Sequence, residues 1–253
     1  MPATPAWPPR SAPRLFVTAE LGEGRNLTID GNQAHYLARV MRMSERDIVI
    51  LCDDITGEWA AEIVSLGKRE VVLAPSRLLR PREQVPDFEL CAALLKKDRF
   101  DVVLEKATEL GVRRIRPVLA RRCVADRLNL ERARTIVAEA AEQCARTALP
   151  ELCEPMKLDA LLRGWPSDRT LFFADELGGE PAAEAFAASH GPAALLIGPE
   201  GGFDDAERDA VRSLPQARPI SLGPRILRGE TAAIAGTALW MATVGDWSSA
   251  VTI

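Results

Sequence analysis

The stretch Leu195-Leu196-Ile197-Gly198-Pro199-Glu200-Gly201-Gly202-Phe203-Asp204-Asp205-Ala206-Glu207-Arg208-Asp209-Ala210-Val211 decides how the rest of this chain is read. Leu195–Ile197 is an apolar run that fits a strand buried on both faces. A glycine-rich turn follows, and Asp204-x-x-Glu207 has the pattern of a capping box that opens a helix. Ala206, Ala210, Val211 and Leu214 supply that helix with an apolar face. Strand, glycine turn and helix N-terminus in succession form a ligand-binding arrangement of α/β proteins, because bare backbone can approach a ligand closely. A tight structural turn is the plainer reading of the same residues.

A second segment repeats the arrangement. Pro219–Leu222 reads as a strand and Gly223-Pro224 as a turn; Arg225-Ile226-Leu227-Arg228-Gly229-Glu230-Thr231 then leads into a small-residue helix from Ala232 to Val244. Two arginines and a glutamate thus stand where a strand hands over to a helix. Solvated loop charges are their usual fate; their density beside a ligand loop favours a site.

"LLIGPEGGF" and "SLGPRILRGETAAIAGTALW" resemble the two cofactor-loop motifs of the SPOUT class of S-adenosylmethionine-dependent RNA methyltransferases. The closer resemblance is to the bacterial family that methylates N3 of a uridine in small-subunit (16S) ribosomal RNA. That family usually carries a larger residue where this chain has Gly229. The resemblance extends from Pro13 to about Asp246. It implies a carboxy-terminal trefoil-knotted α/β domain with a parallel sheet, an amino-terminal PUA-like β-barrel, S-adenosyl-L-methionine as cofactor, and a homodimer. For the cofactor it implies contacts from Ile197, Gly198, Pro199, Glu200, Gly201 and Gly202 in the first loop. Leu222, Gly223, Ile226, Leu227, Thr231 and Ala232 belong to the second, and Phe173, Ala174 and Asp175 to a third, "FADE"-like loop that includes Glu176. Periodicity cannot reveal a knot; that expectation comes from the resemblance alone.

Composition sets wider bounds. With 253 residues and 47% hydrophobic content the chain fits one large domain or two smaller ones with real cores. Its net charge of −4 offers no global polycation for nucleic acid, so RNA contact must rest on local clusters. Cys52, Cys91, Cys123, Cys144 and Cys153 form no CxxC and no metal-ligand spacing with His35 or His190, which fits reduced thiols of a cytoplasmic protein without a metal. The proline-rich start lacks the apolar core of a signal peptide, and the run Ala232–Val244 is too short to span a bilayer.

Residues 1–12 read as a disordered tail. Short strands at Leu15–Val17, Asn26–Ile29, Ile48–Cys52, Trp59–Val64 and Val71–Pro75, interrupted by a helical turn around Gln33–Met41, suggest a small closed barrel over residues 13–84. Pro75, Pro81 and Pro86 mark "PSRLLRPREQVPD" as a linker. Beyond it, over 85–253, strands at Phe88–Leu94, Ile115–Leu119 and Thr170–Ala174 alternate with helices at Asp98–Leu110, Leu130–Ala148 and Pro181–Ser189. Such alternation implies a mostly parallel sheet covered on both faces.

The chemistry follows from the target. N3 of uridine is protonated at neutral pH, so methylation there must displace a proton and spread negative charge over O2, N3 and O4. A fixed guanidinium from Arg225 or Arg228 would stabilise that charge, and Glu200 or Glu230 could accept the proton or hold an arginine. Gln143 and Arg146 in "AEAAEQCART" resemble a family helix that serves the target-base pocket; unaided, they read as the polar face of a helix. Lys96, Lys106 and Glu109 also match the family pattern, the last two forming an i,i+3 pair. Eight arginines crowd between Arg113 and Arg134, with only Asp126 and Glu131 nearby in sequence. Within that cluster Arg121 and Arg122, and on the barrel Arg14, His35, Arg39 and Arg42, are candidates for RNA phosphate contact. GxSxG, HExxH and SxxK are absent. Two alternatives stay open: ribose 2′-O methylation by the same fold, and an RNA-binding or assembly factor without catalysis. The first is disfavoured because its "SLNVS"-like motif is replaced here by "SLGPRILRGETA".

Overall fold

A computed structural model describes residues 7–9 and 11–248, so residues 1–6 and 10 of the expected tail lie outside the described residues. The chain divides into two compact units, Met1–Gln84 with Ala141–Leu149, and Val85–Ala140 with Pro150–Ile253.

The first unit is built on β1 (Arg14–Phe16), β2 (Leu27–Asp30), β3 (Ile48–Cys52), β4 (Gly57–Leu66) and β5 (Glu70–Pro81), in the order β1-β3-β4-β5-β2. Alternating inward residues such as Val49, Leu51, Ile63, Val71 and Leu73 fill its core. Helix α1 (Gly31–His35) continues as a wider π-type turn, Tyr36–Val40, which drives Leu37 into that core. Among the described residues no backbone pairing joins β1 to β2, so the sheet is an open, curled one rather than the closed ring expected.

The proline-marked linker is corrected too. Residues 75–81 are the second half of the twelve-residue β5, and only β4 pairs with them there. With one edge free and register shifts opposite, Pro75 and Pro81 cost no ladder hydrogen bond that a central strand would need.

The second unit carries eight strands: β6 (Phe88–Ala93), β7 (Arg114–Leu119), β8 (Glu151–Leu152), β9 (Met156–Lys157), β10 (Thr170–Ala174), β11 (Glu180–Pro181), β12 (Ala193–Ile197) and β13 (Ala217–Ser221). They run β11-β13-β10-β12-β6-β7-β8, with β9 also on β7, and every pair is parallel. The helices are α2 (Lys97–Glu109), α3 (Leu130–Cys144), α4 (Leu158–Arg163), α5 (Ala182–Ala187), α6 (Asp205–Arg212) and α7 (Gly229–Thr243). Cys91, Leu171, Phe173, Ala194 and Leu196 pack with Leu158, Leu161 and Val211 of α4 and α6. Residues of opposite parity face the other helices: Phe88 stacks on Trp240 of α7 at 4.2 Å, and Phe172 meets Phe186 of α5 edge-on. Burial on both faces explains why β12 reads as a continuous apolar run and why β6 is apolar except for the buried Glu89.

Three sequence boundaries move. Helix α3 stops at Cys144 because Ala145 adopts a left-handed conformation (φ 60°), with no glycine or proline there to announce it. Helix α7 begins at Gly229, so Gly229, Glu230 and Thr231 form its first turn instead of a loop. On α6 the buried face is Arg208 and Val211, with Leu214 half-buried beyond it; Ala206 and Ala210 are exposed. An arginine takes the place that apolar periodicity assigned to alanine.

Candidate active site

Strands β13, β10 and β12 lie side by side, and all three end at the same edge of the sheet. The loops that leave them, 174–179, 198–203 and 222–228, enclose a cavity of about 520 Å³. Its walls bring together most residues expected there: Phe173, Ala174 and Asp175; Ile197, Gly198, Pro199, Glu200 and Gly202; Leu222, Gly223, Ile226 and Leu227; and Ala232 from α7. Arg225 and Arg228 line it as well, both exposed and neither in an ion pair among the described residues. Gly201, Thr231 and Glu230 do not line it.

The 198–203 loop is held by its own sequence and by distant residues. Asp204 caps α6: its side chain accepts from the Glu207 amide at 2.8 Å, while the Glu207 carboxylate accepts from the Asp204 amide. The Glu207 amide, then the Arg121 guanidinium at 2.8 Å, holds the Asp204 carboxyl below its ordinary value. Arg122 donates to the Gly201 carbonyl at 3.0 Å. Gly202 has φ 65°, a left-handed conformation that strains any side chain, and a β-carbon there would stand 2.8 Å from Glu176 Oε1, so the Glu176 carboxylate would have to move aside.

The departure at Gly229 has a local cause. A β-carbon at that position would meet Leu95 at 2.9 Å, so Leu95 occupies the room a larger residue would need. Beside it, Arg99 bridges two carboxylates, 3.4 Å from Glu200 Oε1 and 3.8 Å from Glu230 Oε1. The Lys96 amide also donates to Glu200, at 3.4 Å. Glu230 Oε2 is buried without a hydrogen-bond partner among the described residues. Arg99 was not singled out from sequence; it is lost there in the charge run Lys96-Lys97-Asp98-Arg99.

Elsewhere several of the arginines expected on RNA have protein partners. Arg14 is bound to Glu58 at 2.5 Å, which Arg80 shares. In the second unit Arg113 pairs with Asp87, Arg114 and Arg116 with the buried Glu89, Arg132 with Asp101 and Arg121 with Asp204. Counting acids only between Arg113 and Arg134 missed these partners, which come from far along the chain. His35, Arg39 and Arg42 are exposed together on the segment that begins with α1. Gln143 and Arg146 belong to the first unit; Gln143 is exposed, while burial beside Glu83 lowers the pKa of Arg146.

A parallel sheet whose neighbouring strands end in three loops around one cavity defines an α/β protein built to bind a small ligand. The family model described as RNA methyltransferase domain matches residues 82–241, and the one described as RNA methyltransferase PUA domain matches 29–76. The curated protein "Ribosomal RNA small subunit methyltransferase E" of Bacillus subtilis is 30% identical over 84% of this chain and 88% of its own length. Its Rickettsia conorii namesake is 28% identical over 89% of this chain and 93% of its own. Among solved structures, a Neisseria gonorrhoeae ribosomal RNA small subunit methyltransferase E bound to S-adenosyl methionine has a TM-score of 0.84 at 26% identity, covering 93% of this chain and 99% of that one. A Legionella pneumophila protein in complex with the bound cofactor SAM has a TM-score of 0.83 at 29% identity, over the same shares. The chain therefore belongs to the RNA methyltransferases that carry a PUA domain, in the family of ribosomal RNA small subunit methyltransferase E.

Proposed function

We propose that this protein methylates N3 of a uridine in 16S ribosomal RNA, with S-adenosyl-L-methionine as methyl donor. The observation that carries the reading is the cavity at the ends of β10, β12 and β13, walled by bare backbone at Gly198, Gly202 and Gly223. The residues present fit the cofactor: a side chain at Gly202 would fill the cradle, and apolar Phe173, Ile197, Leu222 and Leu227 supply walls for an adenine ring. Solved relatives that hold this cofactor support the assignment.

When bound, the cofactor supplies an electrophilic methyl group on a positively charged sulfonium. The chain's residues handle the base. Arg225 and Arg228, without acidic partners among the described residues, stabilise the negative charge that develops along O2, N3 and O4 as the proton leaves. Glu200, held by Arg99 and the Lys96 amide, lines the cavity as the acceptor for the N3 proton. Glu230 anchors the far side of Arg99. Gln143 and Arg146 serve the target-base pocket.

The reading extends to architecture. Residues 13–84 form the RNA-binding PUA-like domain, with His35, Arg39, Arg42 and Arg14 on its RNA side, and 85–253 form a trefoil-knotted SPOUT domain to which Lys96 and Arg121 bring RNA contacts, while Arg122 braces the 198–203 loop. The enzyme acts as a homodimer on 16S RNA or the small subunit, in the cytoplasm. Helix α7 supports the dimer: it buries Ala233, Gly236, Thr237, Trp240 and Met241 and leaves Ala235 and Ala242 exposed, with Ile234, Ala238 and Leu239 half-buried. Five free thiols and the ribosomal substrate support the cytoplasmic assignment.

Incubating the protein with labelled cofactor and 16S RNA or small subunits from cells lacking it should transfer label to 3-methyluridine, identified by nucleoside mass spectrometry. Label on a ribose 2′-oxygen, or none, would overturn the reading. Light scattering should give twice the chain mass, and a monomer of full activity would remove the dimer.

A further inference from the structure

Asp175 and Glu176 leave β10 as neighbours, but only one of them is available to a ligand. The Asp175 side chain is 0% exposed. One of its oxygens accepts from the Leu177 amide at 3.0 Å, and the other from Arg212 at 2.6 and 3.0 Å. Arg208 Nε lies 3.4 Å away and is itself buried. Although Asp175 borders the cavity, its carboxylate is used up in fixing the turn.

Glu176 is placed differently. Its side chain is 45% exposed on the cavity wall. Oε1 accepts from Arg208 Nη2 at 2.8 Å, while no hydrogen bond to Oε2 is present among the described residues. Both oxygens stand over Gly202, 2.8 and 3.2 Å from where a β-carbon would be. Arg208 also donates to the Phe203 carbonyl at 3.3 Å, so one buried guanidinium ties the carboxylate of one cavity loop to the backbone of another.

We propose that Glu176 receives the vicinal hydroxyls of the cofactor's ribose and that Arg208 is the positioning residue that aims it, an inference resting on the cavity being the S-adenosylmethionine site. The local charges favour hydroxyl donors over a cation. Asp175 and Glu176 face Arg208 and Arg212; Arg208 also reaches Asp205 at 3.2 Å, but that carboxylate is 97% exposed and screened by solvent, so Glu176 is a largely balanced acceptor with free lone pairs. Glu200 and Glu230 share the single Arg99, and that net negative group is the better match for the cofactor's cationic end.

The test is calorimetric titration of the full chain with S-adenosylhomocysteine and its 2′-deoxy counterpart, which needs no RNA and no turnover. The wild-type protein should prefer the ribose form by about 10- to 100-fold, the range for hydrogen bonds to a charged acceptor. Glu176→Ala, an exposed loop change that should leave the melting temperature near wild type, should bring that ratio to about one. Arg208→Lys keeps a cation at the buried site and should reduce the ratio part of the way. A Glu176→Ala protein that keeps the wild-type preference would overturn the proposal. So would one that loses affinity for both ligands equally, because the carboxylate would then serve the amino-acid end. A wild-type protein that binds neither ligand would instead remove the cofactor reading itself.

Discussion

Two loops of the same cavity are built in opposite ways. The 198–203 loop is braced: Arg122 holds the Gly201 carbonyl, Arg208 holds the Phe203 carbonyl, and a capping box fixes the helix that follows. The 222–228 loop has almost no such ties. Its side-chain hydrogen bonds are confined to Ser221 and Gly223, Ile226 is 90% exposed, and Arg225 and Arg228 stand without acidic partners among the described residues. The difference teaches where preorganisation is invested. On the proposed function, a constant ligand is met by backbone fixed in advance, whereas the cations proposed for the RNA base are left uncommitted.

The sharpest way to break the comparison is Gly202→Val. A β-branched residue at φ 65° strains the loop backbone and displaces the Glu176 carboxylate that stands 2.8 Å from its β-carbon. Calorimetry should find no measurable cofactor binding in a protein whose circular dichroism is unchanged; undiminished affinity would mean the loop is not the cradle. The uncommitted loop should respond in turnover alone. Arg225→Ala or Arg228→Ala should lower kcat by about 100- to 1,000-fold, in the range of a lost charge-stabilising donor. Stability should stay within about 0.5 kcal/mol of wild type. A large loss of melting temperature would show that these arginines brace the loop after all.

Smaller effects separate the two uses of arginine. Arg122→Ala removes a donor to Gly201, and cofactor affinity should fall by about 10-fold. Should titration find cofactor affinity intact while the salt dependence of RNA binding flattens, Arg122 belongs to the RNA surface. The smallest effect is on pH dependence. The Asp204 carboxyl is held below 3.8 in the folded chain, so its contribution is complete above that value and is lost as pH falls through the lower one. Melting temperatures at pH 5 and pH 3 should therefore drop further in wild type than in Asp204→Asn, whose side chain still caps α6 but does not titrate. Equal drops would remove the charge from the bracing.

Local pattern made much of this legible. The strand-turn-helix unit at Leu195–Val211 and the strand alternation beyond Val85 could be read because period, glycine and capping residues act within a few positions of one another. What failed had non-local causes. The proline-marked segment at Pro75–Pro81 is a strand because only one neighbour reaches it. Helix α3 ends at a left-handed alanine that carries no sequence signal. Ala206 and Ala210 gave way to Arg208 on the buried face because Asp175 and Glu176, three decades earlier in the chain, lie where that face packs.

Charges mark the division most clearly. The sequence by itself determined that arginines cluster at 113–134 and 225–228 and that carboxylates stand in the glycine loops. Only the tertiary structure decided which of them are free. It set Arg114 and Arg116 on buried Glu89, Arg121 on Asp204 and Arg208 on Asp175 and Glu176, and among the described residues it left Arg225 and Arg228 at the cavity unpaired. The reason is physical: hydrophobic periodicity is a property of consecutive residues, whereas an ion pair acts only over a few ångströms through space, between groups the chain brings together after it has folded.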